Sequence, residues 1–141
     1  MKRMRMYADG GSRGNPGPAA SGFVLFEFDE SGEQGEKIFE HGEYLGVATN
    51  NQAEYTAIVL GLKKARELGA ESLDVRLDSE LAVKQLNGEY RVKNPDLAKI
   101  FLQVYNLRPH FREIRFTHVR REFNKEADAM VNKALDEALG V

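Results

Sequence analysis

The sequence predicts a single α/β domain in which helices pack on a mixed five-stranded sheet, in the order βββαβααβα. A chain of 141 residues is about the usual length of one domain. Short segments of alternating apolar residues, typical of strands, are interspersed with longer segments whose apolar residues recur at helical spacing. Glycine, proline and asparagine separate these segments, and we find no repeat or linker. We therefore expect residues 1–141 to form one domain.

The N-terminal third of the chain predicts three strands in a meander. Alternation over residues 4–8 indicates a first strand that ends at Asp9. The glycine-rich segment Asp9–Pro18 predicts an irregular turn whose backbone N–H groups can approach a ligand closely. Two further strands are predicted over Ala20–Phe28 and Lys37–Leu45, with a turn between them.

Helices and strands alternate in the rest of the chain. A long helix is predicted over Asn50–Leu68, because its apolar residues follow helical spacing and Gly69 supplies a stop signal. A right-handed crossover then leads to the fourth strand. The later elements are a strand over Leu73–Leu77, a helix over Glu80–Leu86 capped by Ser79, a helix over Pro95–Leu107, a strand over Phe111–Val119 and a last helix capped by Asn124.

Composition excludes several classes of protein. The absence of cysteine excludes disulfides, thiolate metal sites such as zinc fingers, and cysteine nucleophiles. The longest strongly apolar run, Phe23–Phe26, is far too short to cross a bilayer, and no signal-peptide pattern is found. We expect a cytoplasmic protein without membrane contact. The net charge of −2 implies that any contact with nucleic acid is local.

Four acidic residues at the ends of predicted elements carry the strongest functional signal: Asp9, Glu54, Asp78 and Asp128. Each has a simpler explanation, as a turn former, a member of a capping box over residues 51–54, or a complement to a helix dipole. Together they predict a carboxylate cluster, which hard divalent cations such as Mg²⁺ prefer. Two such ions about 4 Å apart support phosphodiester hydrolysis.

The motifs around these acids resemble type 1 ribonuclease H over essentially the whole chain, in its compact archaeal and bacterial, reverse-transcriptase-like branch. They are Tyr7-Ala8-Asp9-Gly10-Gly11, Gly14-Asn15-Pro16-Gly17, Thr49-Asn50-Asn51-Gln52-Ala53-Glu54, Asp78-Ser79, and His118-Val119 through Asn124 to Ala127-Asp128. The resemblance implies a ribonuclease H-like fold and an endonuclease that hydrolyses the RNA strand of RNA–DNA hybrids. It also implies 5′-phosphate and 3′-hydroxyl products and two Mg²⁺ or Mn²⁺ ions, held by the four acids.

The same resemblance implies a set of substrate contacts. Gly14, Asn15, Asn50 and Asn51 match positions that contact the minor groove and 2′-hydroxyls of the hybrid, and Thr49 matches a contact to a DNA-strand phosphate. Asparagine both donates and accepts hydrogen bonds, which suits a 2′-hydroxyl. Helix capping is the alternative role for Asn50 and Asn51.

Two features depart from the family pattern. Many members carry a histidine in the loop before the last acid, where this chain has Arg120–Phe123, and the nearest histidine is His118. Many also carry a basic protrusion that Asn87–Val92 is too short to form. Some members of the branch cleave double-stranded RNA as well, and we expect a monomer. The alternatives are a catalytically inactive module that binds hybrid or protein, and another nuclease of the superfamily.

Overall fold

A computed structural model describes all residues from Met1 to Val141 as five strands and four α-helices. The strands are β1 Arg3–Ser12, β2 Gly17–Phe28, β3 Gln34–Ala48, β4 Ser72–Leu77 and β5 Glu113–His118. The helices are α1 Asn50–Glu67, α2 Glu80–Leu86, α3 Pro95–Leu107 and α4 Lys125–Leu139, with 3₁₀ turns over Arg108–His110 and Arg121–Phe123. No helix is both long and apolar enough to span a membrane.

All five strands form one mixed sheet in the order β3-β2-β1-β4-β5. Strands β1, β2 and β3 pair antiparallel as a meander, whereas β4 pairs parallel with both β1 and β5. The predicted βββαβααβα order and mixed five-stranded sheet are therefore confirmed.

The main core lies between the sheet and helix α1. Alternate residues of β1 and β4 point into it, and Ile58 and Leu62 of α1 are fully buried against them. Helix α3 packs on the outer side of α1. The buried Tyr55 hydroxyl of α1 donates to Gln85 Oε1 of α2 at 2.6 Å. Helix α4 packs on the other face of the sheet, mainly over β2 and β3.

Two glycines allow the helices to approach the sheet closely. A Cβ atom on Gly10 would overlap the backbone of Ala53 and Glu54 in α1. A Cβ atom on Gly22 would lie 2.6 Å from Ala127 O in α4. Neither backbone can retreat without moving a helix, so these residues determine how near α1 and α4 lie to β1 and β2.

The predicted irregular segment Asp9–Pro18 is mostly strand. Strand β1 continues past Asp9 to Ser12, where Gly10, Gly11 and Ser12 pair with Ser21, Ala20 and Ala19 of β2. Only four residues, 13–16, connect the two strands. The prediction was wrong because glycine was taken as a turn signal, whereas here it provides space for a packed helix.

Two capping predictions also need correction. The N-cap of α1 is Thr49, whose side chain accepts from Gln52 N in a capping box, so Glu54 has no capping role. Asn124 lies at the N-cap position of α4, but its side chain does not cap the helix. Its Nδ2 instead donates to Ala8 O of β1 at 2.9 Å.

We predict that Gly10→Ala strongly destabilises the protein. The new methyl group would collide with helix backbone, so the free energy of unfolding should fall by about 3 kcal/mol or more. Gly35→Ala is the control, because its Cβ would make only ordinary contact at 3.6 Å. Urea denaturation measures both variants, and equal stability of the two would contradict the packing argument.

Candidate functional site

The parallel pairing of β1 and β4 brings the first two acids together. Ala8 pairs with Leu77, and β4 ends there, so Asp9 and Asp78 lie next to each other at the edge of this pairing. Glu54 projects from the second turn of α1 toward the same place. These three acids line one small cavity of about 10 Å³, together with Ser79.

The fourth acid reaches the cluster from the opposite face of the sheet. Asp128 lies in the first turn of α4, within hydrogen-bonding distance of Asp9. Asn124 holds the start of this helix against β1 through its bond to Ala8 O. Asn132, one turn further on, donates from Nδ2 to Asp128 Oδ2 at 3.3 Å. The structure thus brings all four predicted acids to one edge of the sheet.

Crowded negative charge dominates the electrostatics of this edge. Burial, followed by the carboxylates of Asp78 and Asp128, raises the pKa of Asp9 to about 8. Burial also raises the pKa of Glu54, and the nearby Asp78 adds to this effect. Three neighbours oppose the shift of Glu54: Ser79, Asn50 and Arg121. Without a cation, the negative charge of the cluster exceeds the nearby positive charge, which favours a proton on Asp9.

The donor atoms of this cluster suit a hard divalent cation. All are carboxylate oxygens, without sulfur or imidazole, which is the ligand chemistry of Mg²⁺ and Mn²⁺. The contacts are pairwise: Asp9 interacts with Asp78 and with Asp128, and Glu54 interacts with Asp78. No three of these side chains converge closely enough to hold one ion as they stand. The four acids therefore fit a divalent cation, both in their ligand atoms and in the negative charge that such a cation would neutralise.

The predicted substrate residues lie beside the acids, around the N-terminus of α1. Asn15, Thr49 and Asn51 line a shallow depression of about 280 Å³, and Gly14 precedes Asn15 in the connecting loop. Asn15 Oδ1 accepts from Asn50 N at 3.0 Å, which fixes this loop to the helix. Three of the five predicted positions thus line one depression, Gly14 precedes it in the loop, and Asn50 lies beside it.

Asn50 has a different position from its neighbour Asn51. Its Nδ2 donates to Glu54 Oε1 at 2.7 Å, and its Oδ1 accepts from Ser12 N at 3.2 Å. The side chain therefore joins β1 to the second acid. Asn51 is exposed and has no such bond. Neither asparagine caps the helix, since Thr49 does.

Sequence reasoning missed three residues next to the acids. Ser79 was assigned only as a helix cap, which it is for α2 through Ala82 N, yet it also lies beside Glu54 and lowers the pKa of that acid. Nothing in the sequence indicates that Arg121 lies near Glu54, because this approach depends on the 3₁₀ turn. Asn132 follows Asp128 by four residues, a helical spacing that predicts contact. His118 lies at the end of β5, opposite Leu77, and forms no hydrogen bond to the acids.

We predict that Asp9→Asn stabilises the protein in chelator at high pH. The folded-state pKa of about 8 lies above the ordinary value near 4, so the stability due to this proton is complete below about pH 4. It is lost as the pH rises through about 8. The variant should melt about 5 °C or more above the wild type at pH 9, and close to it at pH 4. Calorimetry showing the variant less stable at pH 9 would make Asp9 a structural cap.

Comparison with known proteins gives a consistent result. Residues 8–134 match the model of a family described as reverse transcriptase-like. Ribonuclease HI of Halobacterium salinarum is 43% identical over 96% of this chain and 66% of its own length. A bifunctional protein of Mycobacterium tuberculosis is 44% identical over 93% of the chain, which spans only 35% of that protein.

Solved structures agree in fold. The crystal structure of RNase H1 from Halobacterium salinarum has a TM-score of 0.90, with 43% identity over 96% of this chain and 98% of that one. The LC11-RNase H1 structure, in complex with an RNA/DNA hybrid, has a TM-score of 0.87 and 39% identity, covering 96% and 99% of the two chains. With its carboxylate edge, its sheet order and these relatives in agreement, the chain belongs to the ribonuclease H family of enzymes.

Proposed function

We propose that this protein is an endonuclease that hydrolyses the RNA strand of RNA–DNA hybrids. The observation that carries the proposal is the convergence of four carboxylates from β1, α1, β4 and α4 at one edge of the sheet. The solved complex of a 39% identical relative with an RNA/DNA hybrid supports the choice of substrate. Cleavage would leave 5′-phosphate and 3′-hydroxyl ends.

The four acids would hold two Mg²⁺ or Mn²⁺ ions. When bound, such ions activate an attacking water and stabilise the leaving oxygen of the phosphodiester. Asp9 interacts with two of the other three acids, so it lies at the centre of the cluster that would hold the ions. Asn50 orients Glu54, and Asn132 orients Asp128. Arg121 places positive charge beside Glu54, where a substrate phosphate would approach.

The depression beside the acids would select the hybrid. Asn15 and Asn51 offer side-chain amides on its surface, and an amide can both donate to and accept from a 2′-hydroxyl. Thr49 uses its oxygen as an acceptor in the helix cap, which leaves its O–H free to donate to a DNA-strand phosphate. Cleavage of double-stranded RNA would require the surface that faces the uncut strand to accommodate 2′-hydroxyls as well.

One gel tests the proposal against its alternatives. Labelled hybrid, RNA duplex and DNA duplex are each incubated with Mg²⁺, Mn²⁺ or chelator. We expect cleavage of the RNA strand of the hybrid with either metal ion and none in chelator. Binding of hybrid without cleavage would indicate an inactive module, and cleavage of DNA duplex would indicate another nuclease of the superfamily.

We predict that replacing any of the four acids with its amide abolishes turnover. Asp9→Asn, Glu54→Gln, Asp78→Asn and Asp128→Asn should each lower kcat by several orders of magnitude, since each removes charge from the metal-holding unit. Glu137→Gln is the matched control, because Glu137 is exposed on α4 and forms no ion pair. Near-wild-type hydrolysis by Asp9→Asn at saturating Mg²⁺ would overturn the assignment.

We also predict that the two asparagines of α1 act on different kinetic constants. Asn50→Ala should lower kcat, because Glu54 loses the bond that orients it. Asn51→Ala should raise KM with little change in kcat, because its exposed amide would contact only the substrate. Steady-state kinetics on hybrid measure both variants. The same change in the same constant for both would refute this division of roles.

A further inference from the structure

The face of the sheet opposite α1 carries a cluster of arginines that the reaction does not use. Helix α4 packs mainly over β2 and β3, and a groove of about 780 Å³ lies over β1, β4 and β5. Five arginines line this groove, against three acids. The groove thus has two more arginines than acids, although the whole chain has a net charge of −2.

The arginines lie in register across three strands. Arg5 of β1 pairs with Asp74 of β4, which pairs with Arg115 of β5, so the acidic position lies between two arginine positions. Asp74 Oδ2 accepts from Arg5 Nε at 2.8 Å and also from Arg76 Nε at 3.2 Å. A single carboxylate thus neutralises only part of the charge of three arginines.

The cluster is built into the sheet rather than attached to its surface. The Arg5 side chain is only 8% exposed, packs over the Phe28 ring and donates to Gly32 O at 3.1 Å. Arg76 is 31% exposed, and its terminal nitrogens have no ion-pair partner. Arg115 is exposed and forms no ion pair. The buried arginine therefore supports two others that present free donors to the groove.

The groove is elongated and begins beside the acids. The arginines extend from Arg3, which pairs with Ser72 at the start of β4, to Arg76 four residues further on, which is a span of about 13 Å. Arg76 precedes Asp78 by two residues, or roughly 7 Å. A site for one small anion would need a single point of charge, whereas this row of donors suits a chain of phosphates.

We propose that this groove binds the phosphodiester backbone of a single nucleic-acid strand that extends beyond the cleavage site. Arginine donors, together with the Thr117 hydroxyl at the groove, would contact phosphates, so binding would be independent of base sequence. The groove is a second site, separate from the proposed hybrid surface around Asn15 and Asn51.

The test measures binding without cleavage, so its outcome does not depend on the proposed activity. A labelled single-stranded DNA of about 20 nucleotides is titrated in chelator at about 50 mM salt, with fluorescence anisotropy as the readout. The double variant Arg76→Gln, Arg115→Gln should bind at least about ten-fold more weakly. Its log-log salt slope should be shallower by about 1.4, since each phosphate contact on a single strand contributes about 0.7.

A matched double variant removes two positive charges elsewhere. Lys63 and Arg66 are exposed near the end of α1, away from the groove, and Lys63→Gln, Arg66→Gln should leave both affinity and slope close to wild type. Equal weakening by the two double variants would overturn the proposal, because binding would then reflect net charge alone. So would tripolyphosphate binding as tightly per phosphate as the DNA, which would indicate a small-anion site.

The single variant Arg115→Gln tests the proposal in a protein whose folding should be unaffected. Arg115 is exposed and has no ion pair, so this substitution should not change the melting temperature. It should produce about half of the change in salt slope that the double variant produces. An unchanged slope in this folded variant, together with wild-type affinity, would also overturn the proposal.

Discussion

The parallel pairing of β1 with β4 is the constraint on which the site depends. Backbone hydrogen bonds along this pair place Asp9 beside Asp78, and the side chains cannot separate without breaking them. Two carboxylates about 5 Å apart repel by roughly 3 kcal/mol at an effective dielectric constant near 20. The fold imposes this repulsion, and a proton or a cation must relieve it. Burial and the neighbouring carboxylates together raise the pKa of Asp9, which favours a proton on that acid when no cation is bound.

Close helix packing completes the cluster from both faces of the sheet. Gly10 admits α1, which carries Glu54, and Gly22 admits α4, which carries Asp128. Asn124 then ties α4 to β1 through Ala8 O, but its own Oδ1 is buried without a hydrogen-bond partner. The carboxylate cluster thus depends on how closely both helices pack against β1 and β2.

The sequence predicted the elements and the four acids well, since periodicity and motif spacing are local signals. The prediction was wrong where tertiary packing gives a residue a structural role that its local sequence does not indicate. Gly10 was predicted to lie in a turn rather than in a strand, because the neighbouring sequence does not show that a helix packs against this residue. Asn124 occupies a cap position yet bonds across to β1, and Arg121 reaches Glu54 from a turn. The arginines of the groove are far apart in sequence, so only the strand register reveals that they meet.

The register of the β1–β4 pair is stabilised by the side chains of the paired residues. Alternate positions of β1 place Met4 and Met6 in the core and Arg5 on the opposite face, next to Asp74. A slip of one residue along β4 would exchange these faces, because side chains alternate along a strand. It would move the Arg5 charge into an apolar core, at a cost larger than the repulsion between Asp9 and Asp78. A slip of the register therefore cannot separate the carboxylates. The hydrophobic pattern of β1 fixes the register and so keeps the site assembled.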